Sequence, residues 1–166
     1  MIVNIAELDA DAGARIPFAF ETTAESIDAI SETCTFETPI VVKGTVLGTG
    51  MGCRVEGVIE CRRTFACDRC LELCSEGQCI EFSEEFRREA DETEDGNLLS
   101  GDEIELEDMV RDTLLAAQPL SNICKPDCKG LCPVCGENLN KGDCGCNRFV
   151  PDLRLAALQQ WKKEME

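Results

Sequence analysis

The chain has no histidine and no tyrosine among its 166 residues, and only one tryptophan and seven phenylalanines. Without histidine there is no imidazole general base, no Ser-His or Cys-His nucleophile pair, and no zinc site with a nitrogen ligand. So few aromatics weigh against a surface that stacks bases. Basic residues are also scarce. Sixteen Lys and Arg stand against 33 Asp and Glu, for a formal charge of −17. Such a chain repels a nucleic-acid backbone unless its few cations are gathered, so no DNA partner is expected. No apolar run approaches the roughly 20 residues needed to span a bilayer, so no membrane contact is expected. Met1 to Glu7 has neither the basic nor the apolar region of a signal peptide. The expected location is therefore cytoplasmic, where disulfides are not the default use of cysteine.

Cysteine is what the chain has in excess. Thirteen are present, an odd number that cannot pair completely within one chain. Cys34 stands alone. A middle set comprises Cys53, Cys61, Cys67, Cys70, Cys74 and Cys79, and a late set Cys124, Cys128, Cys132, Cys135, Cys144 and Cys146. Between them lies a cysteine-free stretch in which residues 81–108 hold 13 acids against Arg87 and Arg88. Residues 87–102 lack apolar periodicity and read as a flexible acidic loop, either a solvated linker or a contact for a basic partner.

Residues 1–86 read as β structure. Ile16 to Phe20 and Pro39 to Leu47 are rich in β-branched or aromatic residues. From Cys53 to Cys61 the period is two, with Arg54, Glu56, Glu60 and Arg62 opposite Cys53, Val55, Ile59 and Cys61. Cys79 to Phe86 is another strand, which places Cys67 and Cys70 near a hairpin tip. A short helix is expected within 22–33. Asp102-Glu103-Ile104-Glu105 resembles a capping box, and apolar residues then recur at helical spacing, predicting an amphipathic helix at about 103–117 that Pro119 ends. The tail from Pro151 reads as a second helix. The expected class is α+β: a mainly antiparallel sheet with a packed helix (1–118), a cysteine-rich knuckle segment (119–150) and a C-terminal helix (151–166).

Cys132-Pro-Val-Cys135-Gly136 has the form of a zinc or rubredoxin knuckle. The turn aims two thiolates inward, and glycine after the second cysteine supplies a positive φ. A tetrahedral ion needs four ligands, so four of the late six are expected per zinc. Cys144 and Cys146, or Cys124 and Cys128, complete the set. A shell of four thiolates leaves no place for water, which makes the metal structural. Cys67-Asp-Arg-Cys70 offers half of a second metal site, completed by Cys74 and Cys79 or by spare thiols of the late set, or else a redox pair or a reduced turn. Cys53 and Cys61 read as core thiols.

Taken together, Cys67-Asp-Arg-Cys70-Leu-Glu72, the acidic stretch, Gln118-Pro119-Leu120, the run from Cys124 to Cys146 with Lys129-Gly-Leu131 and Asn138-Leu-Asn140, and Asp152-Leu-Arg154-Leu-Ala156 resemble the YceD family, the large ribosomal RNA subunit accumulation proteins. The resemblance covers about residues 36–160. It implies a non-enzymatic role in the accumulation or processing of large-subunit ribosomal RNA, or in ribosome assembly. For such a role the residues favour a basic ribosomal protein or pre-ribosomal large subunit as partner, because residues 124–154 are close to neutral and the rest is acidic. Direct RNA contact would fall to Arg62, Arg63, Arg69 and Lys129.

Overall fold

The computed structural model describes residues 1–9, 13–50, 52–88, 97–99, 101–148, 154 and 161. Its elements are β1 (Ile2–Asn4), a 3-10 turn (Ala6–Asp9), β2 (Arg15–Thr22), β3 (Cys34–Gly48), β4 (Gly52–Ala66), β5 (Leu73–Arg87), β6 (Asn97–Leu98), β7 (Glu103–Glu105) and the helix α1 (Glu107–Ala116). The chain forms two compact units. The first is Met1–Ala66 with Leu73–Asn122, and the second is Cys67–Glu72 with Ile123–Glu166.

The first unit is built on a five-stranded sheet of order β2-β3-β4-β5-β6, with β1 and β7 in a separate pair. Pairing is antiparallel from β2 to β5, and β6 adds parallel to β5 through Phe86 and Arg87. The alternation read in the sequence holds: Val42 and Val46 of β3 and Val55 and Ile59 of β4 are fully buried, while Arg54 and Glu60 are exposed. Ile5, Ile104, Leu106, Val110 and Leu114 join the same buried cluster. β3 shifts register between Glu37 and Val41, a span holding Pro39, which has no N–H to give the ladder.

Three expectations are corrected. Within residues 22–33, Thr22 closes β2 and residues 24–28 form turns rather than a helix. The Ser26 N–H donates to Thr23 Oγ1 (3.2 Å), and Asp28 takes φ +52°. This is local side-chain bonding of the kind that competes with a helix. Second, α1 starts at Glu107, not near 103, and its N-cap is Leu106 without a side-chain cap. Ile104 is instead buried between exposed Glu103 and Glu105 and pairs with Val3 of β1. A partner a hundred residues upstream outweighs the local capping pattern. Third, Asn97–Leu98, inside the expected acidic loop, forms β6. Most of that loop (89–96 and 100) and most of the expected C-terminal helix (151–153, 155–160 and 162–166) lie outside the described residues.

Candidate metal centres

The second unit carries two groups of four cysteines. Cys67, Cys70, Cys124 and Cys128 form one and Cys132, Cys135, Cys144 and Cys146 the other, each with all four Sγ atoms within 4.8 Å of one another. In the first group Cys67 Sγ lies 3.9 Å from Cys128 Sγ, and Cys70 Sγ 3.8 Å from Cys124 Sγ. A tetrahedral ion with Zn–S bonds of about 2.3 Å sets its sulfurs about 3.8 Å apart, whereas a disulfide would need about 2.05 Å. The donor sets therefore fit a tetrahedral thiophilic ion. Four sulfurs would fill a tetrahedral shell in each group and leave no open position for water or substrate.

Each group is assembled from a knuckle plus a second pair. In Cys132–Gly136 the Gly136 N–H donates to the Cys132 carbonyl (2.9 Å), and the Cys132 N–H to the Glu137 carbonyl (2.8 Å). The hairpin-tip segment repeats both bonds: Leu71 N–H to Cys67 carbonyl (2.8 Å) and Cys67 N–H to Glu72 carbonyl (2.9 Å). Gly136 has φ +78°, and Leu71 φ +58°. Leucine thus occupies the left-handed position that glycine normally fills, a conformation that costs an L-residue about 1–2 kcal/mol. The second knuckle was hidden from a search for C-x-x-C-G. The signal that finds it is the C-x-x-C-x-E shared by Cys67 to Glu72 and Cys132 to Glu137.

The surroundings hold the sulfurs. Leu131 bridges Asn138, and the Leu139 N–H donates to the Gly130 carbonyl (2.9 Å), so the Cys132 knuckle caps a miniature hairpin. Gly130 has φ +73°, and a Cβ there would stand 2.9 Å from the Arg69 carbonyl oxygen. The Cys124 N–H and the Asn140 side-chain amide donate to Cys67 and Cys128 Sγ respectively, both at 3.4 Å. Asn140 Oδ1 in turn accepts from the Lys129 N–H (3.0 Å). Such donors stabilise thiolate. The Cys124 N–H, aided by those of Cys70 and Arg69, lowers the Cys67 thiol to about 6 against the opposing effect of burial. The Cys135 and Val134 N–H groups lower Cys132 to about 6. Crowding acts the other way on the last members: burial and neighbouring thiols raise Cys124, and Cys135 and Cys144 push Cys146 up to about 12. Each group thus offers thiolates that repel one another, a conflict a bound divalent cation relieves.

The remaining cysteines behave differently. Cys34, Cys53 and Cys61 are buried in the first unit, Cys74 is half-buried and Cys79 exposed. Burial pushes the Cys53 thiol to about 11. A raised folded-state pKa favours the neutral thiol. Its contribution to stability is complete below the ordinary thiol value and is lost as pH climbs through the window from about 9 to 11. Cys53 is accordingly expected to resist alkylation of the native protein at pH 8, while Cys79 reacts first. Peptide mapping after brief iodoacetamide treatment checks this, and rapid Cys53 labelling would contradict it.

The basic candidates are dispersed. Arg62 is exposed on β4. Arg69 donates to the Cys128 carbonyl (3.1 Å), and Lys129 lies beside Lys141, Asp143 and Arg148 around a hollow of about 200 Å³. Arg63 is a correction. It is 3% exposed and bonded to Glu76, Gln118 and Asn122, so it presents no surface to RNA. The sequence carried this signal, since Arg63 shares the core-facing parity of Cys61 and Phe65.

The described residues thus define an antiparallel sheet protein with two groups of four cysteines, each able to hold one metal ion. Residues 55–162 match the family model for the large ribosomal RNA subunit accumulation protein YceD. The chain therefore belongs to the YceD family, whose name ties it to accumulation of large-subunit ribosomal RNA. It is also 26% identical to the Arabidopsis thaliana chloroplastic protein named large ribosomal RNA subunit accumulation protein YCED homolog 1, over 78% of this chain and 50% of that relative. The chain thus spans about half the length of the curated relative it matches. No solved structure matches it. Among the described residues no helix is long and apolar enough to cross a membrane.

Proposed function

We propose that the chain is a non-enzymatic factor in large-subunit ribosomal RNA accumulation, acting in the cytoplasm by binding a basic ribosomal protein or a pre-ribosomal large subunit. Two zinc ions, one in each cysteine group, hold its second unit rigid. Zinc fits all-thiolate tetrahedra and needs no redox partner. When bound it supplies cross-linking rather than chemistry. The chain's own residues present the recognition surfaces.

One observation carries the choice of partner. The first unit holds the entire formal charge of −17, and the second is neutral, with eight acids against eight bases. Four thiolates around a divalent ion add a formal −2 at each centre, which the formal charges of Arg69, Lys125, Lys129 and Lys141 in the same unit offset. Little is left to hold a phosphate backbone, whereas a basic protein meets an acidic unit at long range.

The test is a binding titration of the purified chain against the basic proteins of the large subunit and, separately, against protein-free large-subunit rRNA, at several salt concentrations. The expected result is salt-sensitive association with a basic protein or the pre-ribosomal particle, and none with bare RNA. Tight binding to bare RNA, lost on charge reversal at Arg62 or Lys129, would overturn the partner assignment in favour of an RNA-binding module.

A further inference from the structure

The two centres differ in how their ligands arrive. The second draws all four from residues 132–146. The first draws one pair from the segment between β4 and β5 and the other from the chain after α1, with Cys124 standing 54 positions after Cys70. The three chain paths serving the first centre are β4 leading into Cys67, β5 leading out of Glu72, and residues 117–122 leading into Cys124. Within the first unit, the Arg63 side chain of β4 is bonded to the other two.

Arg63 of β4 pairs with Glu76 of β5 through Nε (2.8 Å) and Nη2 (2.5 Å). Its Nη1 donates to Asn122 Oδ1 (2.7 Å) and Gln118 Oε1 (3.3 Å). Its guanidinium carbon stacks 4.4 Å from the Phe65 ring centroid. Gln118 Nε2 donates to Gln78 of β5 (3.2 Å) and to the Leu114 carbonyl (2.7 Å), fastening the end of α1 to the same place. Arg63 and Asn122 are 3% and 4% exposed. Burying a guanidinium is costly unless its donors are met, and only a planar fork reaches these acceptors at once. Arg63 precedes Cys67 by four residues, and Asn122 precedes Cys124 by two.

We infer that Arg63 is a positioning residue for the first metal centre: by fastening β4, β5 and Asn122 together it presents the Cys67/Cys70 and Cys124/Cys128 pairs for one ion, so that this centre depends on the folded sheet while the second does not. The inference rests on the two-ion reading above. Asn122 is the arm whose loss separates positioning from general stability, because the Arg63–Glu76 pair within the hairpin stays in place without it.

The experiment uses the full-length zinc-loaded protein, challenged with excess chelator in the presence of a thiol alkylator, with labelled cysteines mapped by mass spectrometry over time. In Asn122→Ala, labelling of Cys67, Cys70, Cys124 and Cys128 is expected to accelerate about ten-fold or more, the size of one lost charge-assisted hydrogen bond. Cys132, Cys135, Cys144 and Cys146 are expected to keep the wild-type rate. Arg63→Lys keeps a charge against Glu76 without the fork and should behave likewise, while circular dichroism reports an intact sheet in both. Unchanged labelling of the first group, or equal acceleration of both groups, would overturn the inference. A wild-type protein that carries fewer than two ions, or labels all eight thiols at once without chelator, would instead overturn the two-ion reading and the inference with it.

Discussion

If metal fills the two cysteine groups, stripping it is expected to unfold residues 67–72 and 123–148 and to leave the five-stranded sheet standing. The reason lies in what each unit buries. The first unit has a continuous cluster of apolar side chains running from Val3 to Leu114. Among the described residues of the second, the buried side chains are Cys67, Cys70, Cys128, Cys132 and Leu139. Four of those five are cysteines of the two candidate metal groups, and full burial of one leucine is worth only about 2–3 kcal/mol. Ordering more than twenty residues costs about 1 kcal/mol each or more in backbone entropy. Structural zinc contributes about 10–16 kcal/mol per site in small thiolate folds, the right size to close that gap. Hydrogen exchange read by mass spectrometry is the measurement. After chelation, amides across 123–148 should exchange at unprotected rates while β3, β4 and β5 keep most of their protection. Cys132→Ser should reproduce the effect around the second centre, since three thiolates no longer close the shell. Persistent protection of 123–148 in metal-free protein with all thiols titrating would show that something other than metal holds the segment.

The parts of this arrangement that were legible in the sequence are those whose cause is local. The strand around Val55 and Ile59 announces itself by alternation, and Cys132 to Gly136 by a glycine where a knuckle turn needs one. The assignment of Cys124 and Cys128 to the hairpin-tip pair was not legible, because it depends on β4 and β5 carrying Cys67 and Cys70 to a place set by long-range pairing. Leu71 concealed the matching knuckle by holding a left-handed conformation without glycine's freedom, a strain the complete ligand set can hold in place. Asp102 to Glu105 misled for the opposite reason. Its local pattern is a good capping box, yet the pairing of Ile104 with Val3 buries an apolar side chain that a helix start there would not. Arg63 is the instructive case. The alternation that placed Cys61 inward places Arg63 inward as well, and a charged residue at a core position is itself a statement that partners await it.

Gly57→Ala is expected to cost the sheet much of its stability. Phe18, Gly44, Gly57 and Phe82 stand in register across β2, β3, β4 and β5. A Cβ on Gly57 would lie 2.2 Å from the Lys43 carbonyl oxygen, 2.8 Å from Gly44 Cα and 2.8 Å from the Phe82 ring. Two of these three neighbours are backbone, so no rotamer change makes room, and β3 must move away from β4 at the middle of the sheet. Overpacking of a rigid site costs about 3 kcal/mol, which for a unit of this size lowers the melting temperature by about 10 °C. Gly77→Ala is the matched control. It sits on β5 of the same sheet, nothing lies within 4 Å of its added Cβ, and its effect should stay within about 0.5 kcal/mol. Denaturant unfolding followed by circular dichroism compares the two. Equal stabilities would mean that the strands part at Gly57 without cost, and the sheet would then be too compliant to hold the β4 and β5 ends that bracket Cys67 and Cys70.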